Sequence, residues 1–118
     1  MITTFANNQF SVYVDGTTAS IQPGTALLGN ALMPWNGMRV PFGSIVSFSG
    51  TADRYVNSLL YLTPGTPPDM THVLSAESAS QLSVGWPSMS DSTSFPLAVF
   101  TFSTSDGVTP QLITYRKM

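Results

Sequence analysis

The amino-acid sequence predicts an all-β protein, an antiparallel β-sandwich of jelly-roll or Greek-key type with about eight strands. Nine glycines and nine prolines interrupt the chain before any segment reaches the length of an ordinary helix. The segments between them are rich in Val, Phe, Ile, Tyr and Thr, and several alternate apolar with polar residues, as half-buried strands do. At 118 residues the chain has the length of one domain with one core, so we assign residues 1–118 to a single domain.

The N-terminal third predicts short strands joined by two turns. In QFSVYVDGTTASI, Val12 and Val14 alternate with Ser and Tyr before Asp15-Gly16, a pair suited to the type I′ turn of a β-hairpin. Residues 22–24, Gln-Pro-Gly, predict the next turn, because Pro fixes its φ angle and Gly tolerates a positive one. The following TALLGNAL predicts a short strand or an irregular segment, with Gly29 at a bulge or a close contact.

The middle of the chain combines loops with one long strand. LMPWNGMRVPFG, Leu32 to Gly43, contains two prolines and an Asn-Gly pair and predicts a turn or loop, although it also carries large apolar side chains. SIVSFSG predicts a half-buried strand through Val46 and Phe48. RYVNSLLYLT predicts a central strand, because both of its faces carry apolar groups. PGTPPDM predicts a loop by its composition.

The C-terminal part predicts a hairpin. HVLSAESASQL is the only helix candidate, for a turn or two, and a strand through Leu82 and Val84 is its alternative. After the polar loop PSMSDSTS, the segment FPLAVFTFSTSDGVTPQLITYRKM has two extended runs around Asp106-Gly107, which predict a terminal hairpin. Pro110 cannot donate to a β-ladder, so we expect its strand at a sheet edge or its own position at a bulge.

The composition favours assembly of identical chains. Charged residues make up 8% of the sequence, against about 25% in typical soluble domains. The 16 serines and 14 threonines supply hydroxyl groups where other proteins carry charges. A net charge of −2 gives little repulsion between copies, so we expect a homodimer or homotrimer. Four basic residues are too few for a phosphate-binding stripe, so we expect no nucleic-acid partner.

The sequence also bears on compartment. The chain has no cysteine, which excludes disulfides, thiolate-bound zinc and thiol catalysis. Its longest apolar run falls short of the roughly 18 residues that a membrane-spanning helix needs, so we expect no membrane insertion. Residues 1–10 lack the basic start and the apolar stretch of a signal peptide, and we expect none.

Residues suited to catalysis are few. His72 is the single histidine, and a Ser-His-Asp arrangement would have to combine it with Ser75 or Asp69, which are close neighbours in the sequence. The carboxylates are isolated from one another and lie in or beside predicted turns, where Asp commonly bonds the nearby backbone. We therefore predict no catalytic residue, no cofactor and no metal ligand, with a structural ion at an oligomer axis as an open alternative, and expect a protein that is not an enzyme.

Two tryptophans occupy predicted loop positions, Trp35 before Asn-Gly and Trp86 before Pro. Each indole has three open interpretations: a lid over one end of the core, an anchor in a protein interface, or a surface that stacks on a sugar ring. The apolar groups between Leu32 and Phe42 exceed what one end of a sandwich needs, so we predict that part of this segment contacts another copy of the chain. The interface or receptor-binding candidates are Met33, Trp35, Asn36, Met38, Phe42, Trp86 and Pro87. The candidate contact loops are Pro34 to Met38, Pro64 to Met70 and Pro87 to Ser94.

Three segments carry the general character of the chain: SIVSFSG, SLLYLTPGTPP and the terminal PLAVFTFSTSDGVTPQLITYRKM. A cysteine-free domain of this length, rich in Ser and Thr, poor in charge and ending on a strand, resembles the outermost spike of a non-enveloped virus. It is similar to the protruding domains of small RNA-virus capsids and to the compact heads of adenovirus-type fibres. The resemblance implies a jelly-roll-like sandwich, clustering on a particle, attachment to a host cell through surface loops, and a position in the C-terminal part of a longer protein. It assigns no site residue.

We therefore expect a virion surface domain that associates with itself and attaches to a host receptor or glycan. The expected location is the virion surface. The alternative is a carbohydrate-binding or adhesin module, such as a phage tail tip, that acts through Trp35, Trp86 or Tyr61. The oligomeric state distinguishes the two, because free sugar-binding modules are often monomers.

Overall fold

The computed structural model describes residues 9–89 and 92–118. Within them the regular structure consists of nine strands and a 3₁₀ helix at Phe42–Ser44. The strands are β1 (Val12–Asp15), β2 (Thr18–Ile21), β3 (Gly24–Leu28), β4 (Ala31–Trp35), β5 (Met38–Pro41), β6 (Arg54–Thr63), β7 (Asp69–Leu74), β8 (Phe95–Thr104) and β9 (Gln111–Lys117). The prediction of an all-β antiparallel sandwich is confirmed. In this part of the chain no helix has the length and hydrophobicity needed to cross a membrane.

The strands form three antiparallel sheets. The first has the order β1-β2-β5, the second is the β3–β4 hairpin, and the third has the order β7-β6-β8-β9. β2 reaches β5 across the β3–β4 hairpin, and β6 reaches β8 across β7 and the residues that follow it. The two smaller sheets contribute their buried side chains to one core with one face of the four-stranded sheet, which we call the inner face. The opposite side of that sheet is its outer face.

The inner face of the four-stranded sheet forms the floor of the core. Val56 and Leu60 of β6 pair with Phe102 and Ala98 of β8, and all four side chains are buried. Phe42 packs on Phe102 edge to face, with ring centroids 5.2 Å apart, a favoured geometry for aromatic pairs. From the smaller sheets the core receives Ala19, Ile21, Ala26, Leu28, Trp35 and Val40.

β6 is buried on both faces, since every residue from 56 to 60 is buried. A strand covered on both sides carries apolar residues almost continuously, so the central strand predicted for RYVNSLLYLT is confirmed. Its ladder with β8 contains a bulge, because Leu60 pairs with Ala98 while Tyr61 pairs with Pro96. The bulge accommodates Pro96, which has no N–H to donate, and places the extra residue, Leu97, in the core as well.

The terminal hairpin of β8 and β9 is confirmed, and β9 follows Pro110 at the edge of the sheet, as expected. Its connection approaches a second loop closely. The Gly50 N–H donates to the Gly107 carbonyl over 2.9 Å. Gly107 has a φ of 86°, and a Cβ at this position would overlap the Gly50 backbone, so both the conformation and the contact require glycine.

Asp106 organises that connection. Its carboxylate accepts hydrogen bonds from the Thr109 hydroxyl at 2.7 Å, from the backbone N–H groups of Thr109 and Val108 at 2.6 and 2.8 Å, and from the Thr104 hydroxyl at 3.0 Å. Because these donors favour the charged form, they hold the pKa of the Asp106 carboxyl well below its usual range.

The two N-terminal hairpins differ in detail from the prediction. The first is confirmed, but its two-residue loop is Gly16-Thr17, one residue later than expected. TALLGNAL contributes to both strands of the β3–β4 hairpin, so the strand alternative is correct. Gly29 has a φ of 67° in the loop between Leu28 and Ala31 and does not form a bulge.

Three local predictions are wrong. SIVSFSG contains no strand, because the N–H groups of Ile45 and Val46 both bond the Phe42 carbonyl and form a helical turn there. HVLSAESASQL contains no helix, since its first residues complete β7 and the rest is irregular. The alternative, a strand through Leu82 and Val84, does not form either. The segment Leu32 to Gly43 is not a loop: β4 and β5 occupy most of it, and only residues 36 and 37 separate them.

Acidification is expected to destabilise the chain in part through Asp106. Because its pKa in the folded state lies below the ordinary value of 3.8, the charged form stabilises the fold above that value, and this stabilisation is lost as the pH falls towards the folded-state pKa. Asp106→Asn removes the titration, so the free energy of unfolding should fall less steeply between about pH 5 and about pH 2 in the variant. Urea denaturation followed by circular dichroism at a series of pH values measures the two slopes.

Asp15→Asn is the matched control, since it makes the same charge change at a turn where the carboxylate has no hydrogen bond with a described residue. Equal slopes for the parent chain and Asp106→Asn would contradict the role given to Asp106.

Candidate functional site

An irregular segment lies across the outer face of the four-stranded sheet. We call residues 75–87, which follow β7, the crossing segment. At its start the Ser75 N–H donates to the Asn57 carbonyl, and the Ser75 hydroxyl accepts from the Asn57 N–H, each over 2.9 Å. Tyr55 and Ser78 exchange two backbone hydrogen bonds of 2.8 and 3.0 Å. The segment therefore begins by pairing with β6, although it forms no strand.

A carboxylate fixes the segment from a second side. Glu77 accepts a hydrogen bond of 2.7 Å from the Ser49 backbone N–H and one of 2.9 Å from the Ser49 hydroxyl. Both carboxylate oxygens are used, and a hydrogen bond to a charged acceptor is stronger than one between neutral groups. The crossing segment is thereby attached to the loop that precedes β6 as well as to β6 itself.

Asn57 provides the most deeply buried attachment. Its side chain points to the outer face of β6 and is 1% exposed. The Nδ2 group donates to the Gly85 carbonyl over 2.8 Å, and Oδ1 accepts from the Thr101 hydroxyl over 2.6 Å. Since Gly85 directly precedes Trp86, the hydrogen bond from Asn57 to Gly85 fixes the position on the sheet from which the indole projects.

Trp86 stands on the outer face and is 68% exposed. It lies between two adjoining grooves of about 280 Å³ each, and together with this outer surface they form what we call the Trp86 site. The first groove is lined by Trp86, Val99, Thr101, Thr114, Tyr115 and Arg116. The second is lined by Asn57, Gln81, Leu82, Val84, Trp86, Thr101 and Thr114.

The floor of the first groove consists of two cross-strand pairs of β8 and β9. Thr101 lies opposite Thr114, and Val99 lies opposite Arg116, so all four residues share the outer face. The Thr101 hydroxyl is already used by Asn57, whereas Thr114 and Arg116 are exposed. Among the described residues that line the two grooves, Arg116 is the only charged one.

These residues are suited to binding. The indole supplies a flat apolar surface, Leu82 beside it is 99% exposed, and the Thr114 hydroxyl and the Arg116 guanidinium supply hydrogen-bond donors. His72 lies elsewhere, on the edge strand β7 opposite Leu60, and makes no hydrogen bond to a carboxylate or a hydroxyl of a described residue. Residues 9–89 and 92–118 contain no group of three or more His, Asp or Glu placed to hold a metal ion.

Two of the predicted interface candidates lie in the core. Trp35 is 7% exposed and Phe42 is 2% exposed. β4 directs Trp35 inwards, where its ring centroid lies 6.2 Å from that of Phe10, so the lid interpretation is correct for this tryptophan. The premise that the large apolar groups from Leu32 to Phe42 face outwards is wrong for both residues, since β4 buries Trp35 and the 3₁₀ helix after β5 buries Phe42.

The other candidates are accessible to different degrees. Asn36 and Met38 are exposed and line an open groove of about 440 Å³ with Arg39, beside the turn that precedes β3. Met33 is partly buried against the core, and Pro87 is half-buried next to Trp86. The candidate loop Pro64 to Met70 is largely exposed and ends in β7. The loop Pro87 to Ser94 includes residues 90 and 91, which lie outside the described residues.

Sequence reasoning missed Asn57, Thr114 and Arg116. The i, i+2 spacing of Thr114 and Arg116 in an extended run does place them on one face. Their position beside Trp86 depends on the path of the crossing segment, which no local pattern indicates.

No known protein family, curated protein or solved structure matches the chain. The choice between the two exposed surfaces therefore rests on their geometry. The groove lined by Asn36, Met38 and Arg39 is wider than those beside Trp86 and lies between two turns. The Trp86 site has a floor of paired strands and a tryptophan whose backbone is attached to the sheet, so it is the candidate functional site.

Asn57→Ala is expected to destabilise the fold and to release Trp86. The change leaves the Gly85 carbonyl and the Thr101 hydroxyl without their buried partner, at a cost of about 1 to 3 kcal/mol in the free energy of unfolding. Urea denaturation measures that loss. Near-ultraviolet circular dichroism measures the order of Trp86, whose contribution is defined by the difference between the parent chain and Trp86→Phe.

Ser47→Ala serves as the control, because Ser47 is exposed and its side chain makes no hydrogen bond with a described residue. A destabilised Asn57→Ala chain that keeps the full Trp86 signal would contradict the positioning role of Asn57.

Proposed function

We propose that this chain is a non-catalytic attachment domain of a virus particle, which associates with itself and binds a host saccharide through the Trp86 site. The observation that carries the proposal is the exposed indole of Trp86, which stands between two grooves on a segment fixed by hydrogen bonds. Large aromatic side chains in such positions anchor ligands and partners, because they bring a wide contact surface at little cost in conformational entropy.

A sugar ring fits the chemistry of the site. The flat indole of Trp86 is suited to stack on the apolar face of a pyranose ring. The ring hydroxyls can then accept hydrogen bonds from Thr114 and Arg116 on the floor. Each groove has a volume close to the lower limit of the range of about 300 to 1,000 Å³ that small-molecule sites occupy, which suits one sugar unit on each side of Trp86.

The virion surface as a location is supported by the character of the whole chain. An all-β domain with 8% charged residues and abundant Ser and Thr resembles viral spike and fibre-head domains. The low charge gives identical copies little reason to repel one another at the high local concentration of a particle surface.

A free carbohydrate-binding or adhesin module, such as a phage tail tip, is the second candidate. The same exposed Trp86 favours it, because the saccharide site lies on a single chain. The two candidates differ in self-association, which the viral spike requires and the free module does not.

Trp86→Ala is expected to reduce saccharide binding at least about 10-fold while changing stability little, since a mostly exposed side chain contributes little to the core. A glycan array probed with a fluorescent, multivalent form of the chain identifies a bound saccharide, and titration of the monomeric unit with that saccharide measures the loss. Tyr13→Ala is the matched control, because Tyr13 is an aromatic residue with 62% exposure on β1, outside the site. Equal binding by Trp86→Ala and the parent chain would overturn the proposal.

Within the segment predicted to contact another copy, Leu32 to Phe42, the exposed Leu32 supports self-association and the buried Trp35 does not. Leu27 and Leu32 lie directly opposite each other in the β3–β4 hairpin and are 54% and 70% exposed. A cross-strand pair of leucines that faces solvent is an apolar surface that a second copy can cover. The burial of Trp35 and Phe42 moves the argument for association to this pair.

The double variant Leu27→Thr, Leu32→Thr is expected to weaken self-association at least about 10-fold, because it removes apolar area at the contact while keeping residues that favour strands. Sedimentation velocity over a range of concentrations measures the dissociation constant. Val108→Thr is the control, since Val108 is 69% exposed in the β8–β9 connection. A parent chain that remains monomeric at high micromolar concentration would reject the spike in favour of the free module.

A further inference from the structure

We propose that the saccharide bound at the Trp86 site carries an anionic group, a carboxylate or a sulfate, and that Arg116 is the residue that binds it. This inference rests on the proposed function and specifies its ligand class. The juxtaposition that carries it is an arginine without a partner among the described residues, beside an exposed indole, in a groove whose described lining has no acidic residue.

The position of Arg116 is fixed by β9. It lies opposite Val99 of β8 and two residues after Thr114, so its side chain leaves the sheet on the same face as Trp86. Both strands belong to the four-stranded sheet, so the backbone of Arg116 is part of the hydrogen-bonded floor of the groove.

The guanidinium of Arg116 has no partner within the described chain. It forms no ion pair and no hydrogen bond with a residue of 9–89 or 92–118. Two carboxylates of the described chain are used elsewhere, since Glu77 bonds Ser49 and Asp106 bonds its own turn. The described residues that line the two grooves include no Asp or Glu. An arginine stays charged at every physiological pH, so the first groove presents a permanent positive charge that no described residue neutralises.

An anionic saccharide is the ligand that uses both groups. The planar guanidinium offers two parallel N–H donors to a carboxylate or a sulfate, while the neighbouring indole offers its face to the ring that carries the anion. A neutral sugar would stack on the indole but would supply no negative charge to pair with the Arg116 guanidinium. An inorganic anion would meet an exposed arginine alone, a contact that contributes little in water.

Matched pairs of ligands test this directly. Methyl galacturonide and methyl glucuronide differ from methyl galactoside and methyl glucoside only in the carboxylate at C6, and the corresponding 6-sulfates supply the other anion. Titrations followed by ¹H–¹⁵N correlation spectra report binding through the indole N–H of Trp86, which Trp86→Phe identifies. We expect at least one anionic ligand to bind about 10-fold more tightly than its neutral counterpart, and more weakly as the ionic strength rises. The stronger member of the carboxylate and sulfate arms identifies the anion.

Arg116→Gln is expected to remove that preference, because it keeps an amide donor for the ring hydroxyls but not the charge, so the affinity for the anionic ligand should fall about 10-fold further than that for its neutral counterpart. Arg116→Lys, which keeps the charge without the planar pair of donors, should retain only part of it. Arg39→Gln is the matched control, because it makes the same change in net charge at an exposed position outside the Trp86 site, in the groove that also contains Asn36 and Met38.

The outcomes separate this inference from the proposed function. If neutral and anionic sugars bind equally, or if Arg116→Gln lowers both affinities by the same factor, the inference is overturned while saccharide binding stands. If Arg39→Gln weakens binding as much as Arg116→Gln, the effect is one of overall charge and the inference also fails. If no sugar binds on the array and none of the paired ligands perturbs the Trp86 indole N–H, both the inference and the proposed function are overturned.

Discussion

β6 lies at the centre of this fold because both of its faces are covered, and its outer face carries a buried polar side chain that must be satisfied. Asn57 is almost completely enclosed, and an unpaired amide in that position would cost about 1 to 3 kcal/mol. Its partners are Thr101 on β8 and the carbonyl of Gly85 in the crossing segment. The hydrogen bonds that satisfy the amide are therefore the ones that hold the crossing segment on the sheet. The location of Trp86, one residue after Gly85, follows from the burial of β6.

The parts of the fold that the sequence predicts well are those whose determinants are local. The terminal hairpin follows from two alternating runs and the Asp106-Gly107 turn, and the central position of β6 follows from its apolar groups on both faces. The crossing segment is different, because the Asn57–Gly85 hydrogen bond joins residues 28 positions apart and no short pattern encodes it. The two tryptophans illustrate the same limit. Trp35 is buried because its place opposite Gly24 in β4 brings it under Phe10, a relation between distant segments.

The apolar segment from Leu32 to Phe42 shows how secondary structure changes the meaning of a composition. As a loop it would expose its large side chains, and burial would require a second copy. As two strands in different sheets, followed by a 3₁₀ helix, it sends Trp35, Val40 and Phe42 into the core and leaves Leu32 and Met38 outside. The scarcity of charge still favours association. What changes is which side chains a second copy can contact. Trp35 and Phe42 are buried, so the available apolar surface is the exposed face of the β3–β4 hairpin.

The two halves of the Trp86 site have different mechanical origins, and this bears on selectivity. Its floor belongs to two hydrogen-bonded strands, whereas its indole is carried by an irregular segment attached at Ser75, Glu77 and Gly85. Such attachment fixes the backbone that carries the indole before a ligand arrives, so that binding does not bear the full cost of ordering the segment. Charges at an exposed site are screened within about 8 to 10 Å, so Arg116 acts only on a group that is already close. Stacking on Trp86 is what brings an anionic substituent into that range. Selectivity for a charged sugar thus requires both residues, and neither the indole nor the guanidinium provides it alone.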